Sequence, residues 1–146
     1  MAAKGLKTLI RLSRWQVDER RRILVALQAR EDEIKAVLDG HYRQLPAEQA
    51  IAAQDSTGSG FFYGAFADAW LDRRDQLLAM LGELAGQIEQ ARDELAEAFR
   101  QQKTYELTQT ARERREREEA DRKEQAALDE TGLNIYRRRN DGRKEE

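Results

Sequence analysis

Apolar side chains recur along the start of the chain in alternating steps of four and three. The stripe runs Leu6, Ile10, Ser13, Val17, Arg20, Leu24, Leu27, Glu31, Ile34, Leu38, His41 and Leu45, and eight of these twelve positions are large aliphatics. That spacing keeps one side of a helix apolar over many turns, as a seam against another helix requires. Leu9, Leu12 and Ile23 widen the stripe near its start, while Arg20 and Glu31 interrupt it and help to fix register. Pro46 disfavours helical backbone in the residue before it. The spacing therefore predicts a first helix over about residues 5–45.

Residues 46–60 read as the connection, with a short AEQAIAAQ segment and then DSTGSG at 55–60. Asp and Ser favour turns and Gly tolerates positive φ, so this is the expected hairpin tip. A second stripe follows at Tyr63, Ala67, Trp70, Arg74, Leu77, Leu81, Leu84, Ile88, Ala91, Leu95 and Ala98. Carried on, the same frame reaches Arg112, Glu116, Glu119 and Lys123, so the seam disappears while helix-forming residues continue. With a reversal near residue ~53, equal rise on two helices sets Leu6 opposite about residue 100. The second stripe thus fades where the first helix runs out. The pattern predicts an all-α fold, a two-helix antiparallel coiled-coil hairpin in one domain over 1–146. Its second helix, 61–131, is longer and charged, and Thr131-Gly132 ends or kinks it. The tail at 132–146 is expected to be disordered.

Composition narrows the function more than the fold. Charged residues make up 37% of the 146, there is one Pro, and there is no Cys. A disulfide framework, a thiolate nucleophile and a cysteine metal site are thereby excluded. The apolar run from Leu6 to Leu12 is too short and too charged for a signal peptide core, and nothing approaches a ~20-residue bilayer span. Charge is uneven along the chain. Residues 1–30 carry +6, residues 31–110 carry −8, and residues 111–146 hold eleven charges of each sign. Different stretches are therefore suited to different contacts.

No catalytic constellation emerges. His41 is the sole histidine and sits on the stripe, where a packed ring is the simpler reading. The many carboxylates have no pocket to pair them in a two-helix fold. Gly58-Ser59-Gly60 lacks the lysine and preceding strand of a phosphate loop and belongs to the turn. Neither an enzymatic activity nor a cofactor is expected. The arginines at 11, 14 and 20–22 are interleaved with the seam rather than placed ahead of it, unlike a basic zipper, so nucleic acid is not an expected partner. By contrast, Phe61, Phe62, Tyr63, Phe66 and Trp70 face only the Pro-broken end of the first helix. That is more aromatic area than a thin tip buries, and it suits contact with another protein.

In layout and in short motifs the chain resembles the FliJ family of the bacterial flagellar type III export apparatus. The motifs are KTLIRLSRWQVDERRRILVAL at the start, YGAF at 63–66, AFRQQKTYE at 98–106 and ALDETG at 127–132. The resemblance implies a fold like the coiled-coil stalk of the F-type ATPase γ subunit. It also implies a non-catalytic role, binding the hexameric flagellar export ATPase and the cytoplasmic domain of the export gate, with a link to export chaperones. The implied location is the cytoplasm, peripheral at the inner membrane through the export apparatus and without membrane insertion. Carried onto this sequence, Arg11, Arg14, Arg20, Arg21 and Arg22, with Phe99, Arg100 and Lys103 opposite, form the end that enters the ATPase ring. Val37, Leu38, Phe66 and Trp70 face the gate. The competing readings are a coiled-coil scaffold or chaperone-like protein of another system, such as an injectisome stalk, and a DNA- or membrane-surface-binding helix.

Overall fold

The computed structural model describes residues 2–54 and 59–144. Two helices account for nearly all of them, α1 (Ala2–Gln54) and α2 (Ser59–Gly142). They pack against each other as an antiparallel hairpin, because Arg20 of α1 meets Glu94 of α2 while His41 meets Trp70. Among the described residues there is no strand, and no helix is long and apolar enough to cross a membrane.

Every position of the two predicted stripes is buried or half-buried. The frame also continues past its expected ends, through Glu48 and Ala52 on α1 and through Gln102, Tyr105, Gln109 and Arg112 on α2. The first helix does not stop before Pro46, which lies inside α1 and faces solvent. Proline removes one backbone hydrogen bond and costs about 3 kcal/mol in a helix interior. Here Leu45, Glu48 and Ala52 keep the seam occupied on both sides of it, and packing outweighs the local preference. The expected turn residues 55–58 lie outside the described residues, whereas Ser59 and Gly60 already belong to α2. At the other end, α2 passes through Thr131-Gly132 and continues to Gly142, in place of a disordered tail from 132. Thr131 donates its hydroxyl to the Ala127 carbonyl at 2.9 Å, which satisfies the side chain within the helix.

Contacts divide the chain into two units. In the unit Leu12–Gln101, the packed centre is Ile34, Leu38, Leu77 and Leu84, flanked by Leu27, Met80 and Leu81. Toward one end of this unit Val17, Ile88 and Ala91 are buried, and Arg20 bridges to Glu94 at 2.7 Å. Toward the other, Trp70 and His41 clasp each other. The indole N–H of Trp70 donates to the His41 carbonyl at 2.8 Å, and His41 Nε2–H donates to the Trp70 carbonyl at 2.8 Å. Their rings stack with centroids 4.6 Å apart. The histidine on the seam is thus a packing residue whose hydrogen bonds cross between the helices.

In the unit Met1–Arg11 with Gln102–Glu146, Leu6 and Ile10 are buried. On α2 the half-buried positions end at Arg112, and every described residue from Glu113 to Lys144 is exposed. The seam therefore reaches further along α2 than a reversal at ~53 allows. Within the unit Leu12–Gln101, the Arg20–Glu94 and His41–Trp70 pairs set α1 against α2 a few residues out of the register that a reversal at ~53 gives.

Charges within the seam are handled locally. Glu31 is half-buried and accepts a hydrogen bond from Lys35, whose pKa is raised by that bond and by the Glu31 charge. A raised lysine pKa supports the fold below the ordinary lysine value and is lost as pH rises through the raised one. This pair consequently adds no pH dependence near neutrality. The Arg20–Glu94 bridge is about four-tenths exposed on both sides. A double-mutant cycle with alanine at each position should give a coupling of only about 0.2–1 kcal/mol, shrinking as salt is added. A coupling that survives 1 M salt unchanged would contradict the assignment.

Candidate functional site

The basic stretch of α1 divides once its side chains are placed. Arg20 is tied across the hairpin to Glu94, and Arg22 is paired with Glu19 one turn before it. Arg21 lies 3.7 Å from Asp18 and is largely exposed. Arg14 is exposed in the same unit, while exposed Arg11 belongs to the unit containing Lys103. On α2, Arg100 pairs with Glu97 at 2.7 Å and Lys103 with Glu106 at 3.5 Å. Two of the eight residues expected at the ATPase end share a groove. Arg21 and Phe99 line one shallow groove with Arg92, Leu95 and Ala96. Arg20 lines a different trough, whose apolar floor comes from Trp15, Ile23 and Ala98 and whose acidic rim comes from Glu19, Glu94 and Glu97.

Trp15 is 58% exposed and is a large aromatic that the seam does not use. Its position between stripe residues Ser13 and Val17 carries that signal in the sequence, since an apolar side chain off the stripe has no internal partner. Glu94 carried no such signal, because its role depends on the register between the helices.

The four residues expected to face the gate also separate. Leu38 belongs to the packed centre and Trp70 is 5% exposed, with its indole N–H satisfied inside the hairpin. Neither can touch a partner while the hairpin is closed. Val37, next to Leu38, is exposed. Phe66 is half-buried and lines a groove with Glu48, Ile51, Ala52, Phe62 and Tyr63. Of the aromatic cluster expected near the tip, Phe62 is 76% exposed and Trp70 is buried, while the Phe61 side chain lies outside those described. Tyr63 and Phe66 are half-covered, because α1 reaches Gln54.

These surfaces are open grooves on helices. Among the described residues no three His, Asp or Glu side chains are grouped to hold a metal ion. The arrangement offers what contact with another protein needs, exposed apolar and cationic side chains on a stiff support. A family model described as "Flagellar FliJ protein" matches residues 3–141. The chain belongs to the FliJ family. The match takes in both helices and the connection between them. Comparison with curated proteins and with solved structures gives no significant match. As a FliJ-family member, the chain is a component of flagellar protein export, and its surfaces are to be read in that setting.

Proposed function

We propose that this FliJ-family chain is a non-catalytic stalk for the hexameric flagellar export ATPase, and that it links the ATPase to the export gate and to export chaperones. The family match over residues 3–141 carries this reading. The geometry refines which residues serve it. In the unit Leu12–Gln101, Arg14, Arg21, Arg22 and Arg100 are all exposed, and Phe99 lies beside Arg21. Arg11 and Lys103 supply exposed cations in the other unit. Arg20 holds the two helices in register, and Arg22 and Arg100 are partly neutralised by their own helices. On the gate side, Val37 and Phe66 make the contact, and Leu38 and Trp70 keep the surface beneath them rigid.

A hairpin in the pore of a sixfold ring is an asymmetric occupant. It meets the six subunits differently and favours those conformations that it binds more tightly. Exposed arginines meeting carboxylates would make that binding salt-sensitive. Titration of the purified chain against its cognate ATPase hexamer tests this. Reversing Arg14 and Arg21 to Glu together should weaken binding by about tenfold, equivalent to ~1.4 kcal/mol, and should flatten its salt dependence. Helicity should not change, because both side chains are exposed. An affinity unaltered by the double reversal removes these residues from the interface.

A further inference from the structure

The exposed stretch of α2 after Arg112 has no function in the reading above. Its charge is polar along the helix, because residues 113–130 carry −3 and residues 131–144 carry +4. One face of it repeats the three-and-four spacing of the seam. Asp121, Gln125, Leu128, Gly132, Tyr136 and Arg139 fall on that face, with Ile135 beside Tyr136, and Arg143, just past the end of α2, lines the same surface groove as Gly132, Tyr136 and Arg139. All are exposed, and Tyr136 is 67% exposed. Asp121, Arg139 and Arg143 have no ion-pair partner among the described residues.

We propose that this face is a self-recognition surface, on which two copies of the chain pair antiparallel about a two-fold axis through Gly132. The spacing of these residues is symmetric about that glycine. Leu128 and Tyr136 are equidistant from it, as are Gln125 and Arg139, and Asp121 and Arg143. An antiparallel partner therefore sets Leu128 on Tyr136, lets Gln125 accept from Arg139, and pairs Asp121 with Arg143, each twice. Such an interface is isologous, with the same patch used by both subunits. Gly132 sits at the crossing point, where an absent Cβ lets two backbones approach; like the other described glycines, it has nothing of its own chain within 4 Å of the space a Cβ would fill. In a helix interior glycine costs about 1 kcal/mol relative to alanine, and no contact within the chain accounts for its presence.

The helix dipole does not explain the charge pattern. It favours cations only in and just past the last turn, where Arg139 and Arg143 lie, and leaves the acidic run 113–130 in mid-helix unexplained. A parallel pair would stack acidic on acidic and basic on basic. Antiparallel pairing about Gly132 puts residues 120–130, net −2, against residues 134–144, net +4.

Sedimentation velocity of the full chain between about 1 μM and about 1 mM, where weak helix interfaces titrate, should show the mass doubling with concentration. Arg143→Asp should move the midpoint at least tenfold upward, and adding Asp121→Arg in the same chain should restore it. The chain lacks cysteine, so orientation can be read directly. A chain with Asp121→Cys mixed with one carrying Arg143→Cys should oxidise mainly to the mixed disulfide. A monomer at every concentration, a dimer indifferent to Arg143→Asp, or a predominance of like-with-like disulfides would each overturn the proposal.

Discussion

Trp70→Ala is expected to destabilise the hairpin by about 3–5 kcal/mol, the range for removing a buried aromatic. Three losses coincide there. The 5%-exposed indole leaves a cavity between the helices, its N–H no longer satisfies the His41 carbonyl, and the His41 ring loses the surface on which it stacks. Tyr42 packs against the indole edge at 5.5 Å and Arg74 lies 5.8 Å from the ring centre, so the cavity cannot close without moving both. Trp70→Phe keeps most of the buried area and loses the donor, and should cost about 1–2 kcal/mol. Urea unfolding followed by helical circular dichroism reads both values. Trp15→Ala, at an exposed site, serves as the control within ±0.5 kcal/mol. If Trp70→Ala falls near the Trp15 control, Trp70 is a surface residue and the clasp is wrong.

Leu77→Ala should follow at about 2–5 kcal/mol. Leu77 is 2% exposed and lies in the cluster with Ile34, Leu38 and Leu84. A two-helix fold has one seam and no second layer to collapse into the space. Leu78, one residue on, is exposed, so Leu78→Ala should be close to neutral and isolates the effect of the seam. Total stability of a domain is typically about 5–15 kcal/mol. The double variant Trp70→Ala, Leu77→Ala should therefore lose its cooperative unfolding transition. Two transitions of normal cooperativity would contradict a seam continuous between these residues.

Both substitutions sit on positions that the sequence pattern identifies, and the reason is geometric. A four-and-three spacing sustained over many turns has one physical use, and every stripe residue from Leu6 to Leu45 and from Tyr63 to Ala98 is covered. Helix ends were less legible, because they depend on a balance. At Pro46 the local preference is lost to packing on both sides. At Thr131-Gly132 neighbouring helix formers carry the backbone through.

Site residues were harder for two distinct reasons. Leu38 and Trp70 are the residue types that build both cores and docking patches, and only the three-dimensional arrangement separates the uses. Arg20 depended on register. With a reversal at residue ~53 it faces about residue 86, a glycine, whereas in the structure it reaches Glu94. A shift of a few residues at the turn turns an arginine available to a partner into an internal strut. Arg14 and Arg21, which we propose for the ATPase contact, carry no sequence feature that distinguishes them from Arg20 and Arg22.

The central claim is that this FliJ-family chain acts on the export ATPase by occupying its ring, and the rate of ATP hydrolysis measures that most directly. The cognate ATPase should be assayed alone and with increasing amounts of purified full chain, at low and at high salt. Stimulation that saturates near one chain per hexamer and weakens as salt rises is the predicted result. A hydrolysis rate unchanged across the titration, with ATPase that is active and chain that is folded, would contradict the account.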